Sequence, residues 1–292
     1  MKRSCLIVAA ILMVFEIYVS ARPRPLVFQA SDAAEQLRQQ GLQEFKSGNY
    51  ESAIALFKRA LSLQPNLFSA LNDLGVTYGR VERYVEAEAA FNEAMRLEPQ
   101  CVEVYYNLGT LYNILDRLED GLAALKVAVR LSPGHAWAHN NLGVIYRKAS
   151  RFSDAVASFR RAAELQPDWP EVRLQLAISL CEAGKCRDAI VPLEEAIRLK
   201  PTYTDAINSL GVVYSRLGKN DRAVECFERA IALKPDYAEA LYNLGALSIT
   251  RRETAVAVQQ YDRLKSLDHD LAEKLYRGIY QGAILSLRDK HQ

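Results

Sequence analysis

Charge of one sign is in short supply: 37 lysines and arginines face 35 acidic residues, a formal excess of +2. So small an excess excludes the concentrated basic surface that nucleic-acid binding needs. No run of like charge reads as an interaction tail. Cysteine is sparse too. Beyond the first 21 residues there are only Cys101, Cys181, Cys186 and Cys226, too few for a disulfide framework in a chain this long, so the fold must rest on its apolar core. Signatures of catalysis are lacking: there is no phosphate-cradling glycine loop, no nucleophile elbow and no HExxH helix. The expectation is a protein that is not an enzyme, with no cofactor and no small-molecule substrate.

One apolar run near the start, Cys5 to Phe15, follows Lys2 and Arg3 and precedes the small residues Val19-Ser20-Ala21. That order is the order of a signal peptide, residues 1–21, with the mature chain starting at Arg22 outside the cytoplasm. The alternative is an uncleaved membrane anchor, although Glu16 interrupts the stretch well short of the roughly 20 apolar residues a span needs. A membrane contact is expected only in that second case. Residues 22–33, opening with Arg22-Pro23-Arg24-Pro25, read as a linker.

What the sequence has in abundance is a period. Pro65, Pro99, Pro133, Pro167, Pro201 and Pro235 are each 34 residues apart. Beside them run Leu74-Gly75, Leu108-Gly109, Leu142-Gly143, Leu210-Gly211 and Leu244-Gly245, with Tyr78, Tyr112, Tyr146 and Tyr214 three residues beyond the glycine. Alanines at 53, 87, 155, 189, 223 and 257 precede by four residues Phe57, Phe91, Phe159, Leu193, Phe227 and Tyr261. Leucine, glycine and tyrosine at i, i+1 and i+4 share one face of a first helix. The Ala-x3-Phe-x2-Ala run sets small, large and small residues along a second helix, and the proline ends it. The glycine leaves room where two helices approach closely. Each unit is helix, tight turn, helix, stop, and cannot bury its apolar face alone.

This period and signature resemble the tetratricopeptide repeat (TPR). Units fall at 34–67, 68–101, 102–135, 136–169, 170–203, 204–237 and 238–271, and residues 272–292 supply a capping helix and tail. The resemblance implies an all-α fold, a right-handed α-solenoid of helix-turn-helix units. Repeat five departs from the pattern, with Ala177 and Leu180 for glycine and tyrosine, and with Pro192 set to kink its second helix. Cys181 and Cys186 flank the turn of that repeat. They read either as a disulfide clip or as two independent thiols. His135 and His139 are four apart, but a third metal ligand is lacking, because equivalent positions in neighbouring units are too far apart to share a zinc ion.

The resemblance also implies a concave face lined by first helices, where a protein or peptide partner lies. The corresponding positions are Asn72, Asp73, Arg80, Tyr106, Asn107, Asn113, Trp137, Asn140, Asn141, Arg147, Lys148, Glu182, Asn208, Arg216, Tyr242 and Asn243. Asparagine ladders either pair with a peptide backbone or bridge neighbouring helices. Tyr106, Trp137 and Tyr242 are of the type enriched at binding hot spots, or else ordinary packing. The lysine–asparagine clamp with which some members grip chaperone C-termini is absent. The expected role is an interaction scaffold, an assembly factor for an envelope or secreted complex, or alternatively a membrane-tethered subunit.

Overall fold

The computed structural model describes residues 26–288. The segment read as a signal or anchor, and residues 22–25 of the linker, lie outside them. None of the described helices is long and apolar enough to cross a membrane.

The described residues form an all-α array of paired helices, as the resemblance implies. First and second helices alternate: α1 Leu26–Lys46, α2 Tyr50–Leu63, α3 Phe68–Arg80, α4 Tyr84–Leu97, α5 Val102–Ile114, α6 Leu118–Leu131, α7 Ala136–Lys148, α8 Phe152–Leu165 and α9 Pro170–Glu182. A 3-10 turn at Cys186–Ala189 leads into α10 Ile190–Leu199. Then follow α11 Thr204–Arg216, α12 Asn220–Leu233, α13 Ala238–Thr250, α14 Thr254–Leu264 and α15 His269–Arg288. The described residues divide into two compact units, one ending at Leu111 and the other beginning at Tyr112.

Two expectations are corrected. Residues 26–33, read as linker, are helical, because α1 begins at Leu26. Pro192 does not kink a helix interior. The Cys186–Ala189 segment winds as 3-10 instead, α10 starts at Ile190, and Pro192 falls in its first turn. There the missing N–H is one that an α-helix leaves without an intrahelical acceptor.

The interlock of glycine with phenylalanine is the packing rule of both units. A methyl group on Gly41, Gly75, Gly143 or Gly211 would stand 2.6–2.8 Å from the ring of Phe57, Phe91, Phe159 or Phe227. Those rings are almost wholly buried. In the last repeat the cap takes over: Gly245 faces Leu275 of α15, and Leu241, Leu264, Leu275 and Ile279 close one cluster.

The turns inside the helix pairs share one geometry. The fifteenth residue of every unit is left-handed, with φ between 56° and 82°: Gly48, Glu82, Asp116, Ser150, Gly184, Gly218 and Arg252. The next N–H reaches back five residues to a helix carbonyl, as from Arg83 to Tyr78 at 2.9 Å and from Lys219 to Tyr214 at 2.9 Å. This is the long bond of a Schellman motif. Arg83, Arg117 and Arg151 then stack on Tyr78, Tyr112 and Tyr146 at 4.4–4.7 Å, so the tyrosine ladder also holds the turns.

Candidate partner-binding surface

Equivalent positions on successive first helices are 34 residues apart, but side-chain contacts between those helices join residues 35 apart. In the first unit, Arg38 Nη1 donates to Asp73 Oδ2 at 2.6 Å, and Asn107 Nδ2 donates to Asn72 Oδ1 at 3.0 Å. In the second unit, Asn243 Nδ2 donates to Asn208 Oδ1 at 3.0 Å, Arg147 reaches Glu182 at 3.5 Å, and Lys148 donates to the Asn113 carbonyl at 2.9 Å. One step beyond the period suits the inclination of helix ridges, which brings a residue of one helix beside the next position of its neighbour. Asn72, Asp73, Asn107, Asn208 and Asn243 therefore bridge neighbouring helices. Asn208 is buried. Burial also lifts the Asp73 carboxyl above its ordinary range, against the pull of Arg38.

The aromatic candidates separate in the same way. Tyr242 packs against the cluster that closes the second unit. Tyr106 is half-buried. Trp137 is 50% exposed and lies against Trp169, with ring centroids 4.1 Å apart. Trp169 went unremarked in the sequence because it precedes α9 rather than lying on it. Asn140 donates to Asn141 at 3.2 Å.

The histidine pair is occupied structurally. His135 Nδ1 accepts from the Ala138 N–H at 3.0 Å, capping α7, and His139 Nε2 lies 3.1 Å from the Pro133 carbonyl. Burial holds the His139 imidazole below its ordinary pKa. Among the described residues no group of three or more histidines, cysteines or carboxylates could hold a metal ion. Cys181 and Cys186 are paired as a disulfide across the turn of repeat five, with Cα atoms 4.1 Å apart.

Open space on the first-helix face of the second unit collects around Arg216. A cavity of about 200 Å³ lies between α9 and α11, lined by Ala177, Ile178, Cys181, Glu182, Leu193, Ser209, Val212, Val213 and Arg216. Another, of about 240 Å³, lies between α11 and α13 and is lined by Val212, Ser215, Arg216, Asn243, Ala246, Leu247 and Thr250, with Phe227 behind. The first has a clear origin. Leu193 and Ala177 stand where repeats four and six put phenylalanine on glycine, and leucine fills less of the space. Of the sequence candidates, Glu182, Arg216 and Asn243 line this space. Asn208 does not.

Sequence profiles described as TPR repeat or tetratricopeptide repeat match residues 41–81, 72–136, 136–168 and 216–247, together more than half of the chain. Comparison with curated proteins returns no match. Among solved structures, a tetratricopeptide repeat protein from Parabacteroides merdae is 19% identical, covers 85% of this chain and 99% of its own, and superposes with a TM-score of 0.62. PilF of Pseudomonas aeruginosa is 20% identical over 73% of this chain and 96% of its own, with a TM-score of 0.63. YrrB, described as a TPR protein with an unusual peptide-binding site, is 22% identical over 63% of this chain and 95% of its own, with a TM-score of 0.58. At such identities the likeness is one of fold. With the 34-residue period, the glycine–phenylalanine interlock and the matching profiles together, the chain belongs to the tetratricopeptide repeat family.

Proposed function

We propose that the protein is a non-enzymatic scaffold that holds a peptide or protein segment against the first helices of repeats five to seven. The observation that carries this reading is the pair of adjoining cavities around Arg216, lined by aliphatic and polar side chains together. Such a surface offers side-chain pockets for an extended or helical ligand. No constellation of nucleophile, base and orienting group accompanies them. YrrB, with its peptide-binding site, supports the reading by its fold. The basic start and apolar run before Arg22 support work outside the cytoplasm, as an assembly factor for an envelope or secreted complex.

Selection of a random displayed-peptide library on the purified protein tests the binding reading. Selected peptides should lose binding when Val212→Arg and Ala246→Arg obstruct the two cavities while helicity is retained. Undiminished binding to that variant would place the site elsewhere. Mass spectrometry of protein recovered from the producing cell tests export: a chain starting at Arg22 supports it, and an intact start at Met1 supports the membrane-tethered alternative.

A further inference from the structure

Arg216, like Arg80 at the same place in repeat two, has no carboxylate partner among the described residues, and of the two it is Arg216 that lines the cavities described above. Arg38 is held by Asp73, Arg147 by Glu182, and Lys148 by the Asn113 carbonyl and by Asp116 at 3.4 Å. Arg216, the last residue of α11, is exposed. Its guanidinium donates to Cys186 Sγ at 3.6 Å, and a sulfur atom is a weak acceptor. Among the described residues no carboxylate stands within ion-pair distance of it. The carboxylate that shares its cavity, Glu182, is engaged by Arg147.

The surroundings of this unpaired cation are specific. Arg216 lines both cavities, with Ala177, Ile178 and Val213 on one side, Ala246 and Leu247 on the other, and Val212 between. Each space suits a single side chain rather than a whole small molecule, since pockets that take drug-sized ligands span about 300–1,000 Å³. A guanidinium presents a planar fork of donors that fits a carboxylate bidentately, more specifically than a point charge does.

We infer that the segment held by repeats five to seven is acidic and aliphatic. It places one Asp or Glu carboxylate on Arg216, with aliphatic side chains before and after it in the two cavities. The inference deepens the scaffold reading above and rests on it. It names a ligand chemistry that charge complementarity selects: a basic or wholly neutral segment would leave Arg216 without a partner.

The test uses the full mature chain and two fluorescein-labelled probe peptides. One has a Leu-Ala-Glu-Leu-Val core, and its twin has Gln in place of Glu. Fluorescence anisotropy should show the Glu peptide binding about tenfold more tightly, the lower end of what a hydrogen bond to a charged group contributes. R216A should abolish that preference, R216K should restore part of it, and R160A, at an exposed position of the second helix α8, should leave it unchanged. Raising the salt concentration should narrow the gap between the twins. Equal binding of the twins, a preference that survives R216A, or no binding of either peptide would overturn the inference. The displayed-library selection separates this failure from failure of the scaffold reading. Groove-dependent peptides without acidic enrichment would sink the ligand chemistry alone. No groove-dependent peptide at all would sink both.

Discussion

Repeats five and six occupy adjacent places in the second unit and differ in what fills their interior. Repeat six is regular. Phe227 packs on Gly211, and the 14-residue α12 runs unbroken from Asn220 to Leu233. Repeat five puts Leu193 against Ala177, opens its second helix with a 3-10 turn, and continues it as the 10-residue α10. The first arrangement seats the ring tightly on glycine and the second leaves the leucine loosely packed, while open space borders both, about 200 Å³ beside Leu193 and about 240 Å³ in front of Phe227. In a solenoid each unit contacts only its neighbours, so an array can carry one loosened unit and use the gap. The difference teaches that the interlock can be tight at Phe227 and loose at Leu193 while the open first-helix face continues across both repeats.

The largest expected effect strikes the regular interlock. Phe159→Ala should destabilise the protein by about 3–5 kcal/mol, because the lost burial is joined by a cavity beside Gly143. A urea midpoint shift no larger than that of an exposed substitution would contradict the packing rule. Next comes the attempt to make repeat five regular. Leu193→Phe alone should destabilise by about 1–3 kcal/mol, since the Ala177 methyl stands where the ring must lie. Adding Ala177→Gly should recover most of that loss and narrow the cavity. Identical effects with and without the second change would mean that Ala177 and Leu193 do not explain the open space.

The clip in repeat five is expected to matter less. Cysteine alkylation followed by intact-mass measurement should label Cys181 and Cys186 only after reduction. Reduction, or Cys181→Ser, should lower stability by about 2 kcal/mol, the chain-entropy value for so short a loop. Full labelling without reductant would show two free thiols. The smallest effect lies in the turns. Ser150→Gly should stabilise by about 0.5–1 kcal/mol, because a left-handed backbone suits glycine better than serine. Gly218→Ala should destabilise by a similar amount. Thermal melts of the two variants that moved in the same direction would break this account of the turns.

Much of the fold was legible because its determinants recur. Six prolines at one spacing mark where the second helices stop, and Gly75, Gly143 and Gly211 mark where Phe91, Phe159 and Phe227 must lie. The left-handed turns were legible only where glycine occupies them. At Glu82, Asp116, Ser150 and Arg252 the backbone bond closing the turn imposes the conformation, and the side chain gives no sign of it. Pro192 was misread because its effect depends on where the helix begins, and the 3-10 turn moves that start. The candidate site was less legible. Position within a repeat identifies the first-helix face, but it does not show which polar residues are already engaged. Asn72, Asn107, Asn208 and Asn243 hold one another across helices, a relation visible only as a spacing of 35 rather than 34. Arg216 is left without a carboxylate because Glu182 is drawn to Arg147, and sequence position does not reveal that choice.

The central claim, that partners dock on the first helices of repeats five to seven, is tested most directly by site-specific photo-crosslinking in the producing cell. A photoreactive benzoylphenylalanine would replace Ala246 on that face and, in a second protein, the exposed Glu228 on α12. The account predicts a discrete crosslinked partner from position 246, lost with R216A, and none from position 228. A partner captured from position 228 and not from position 246 would contradict it.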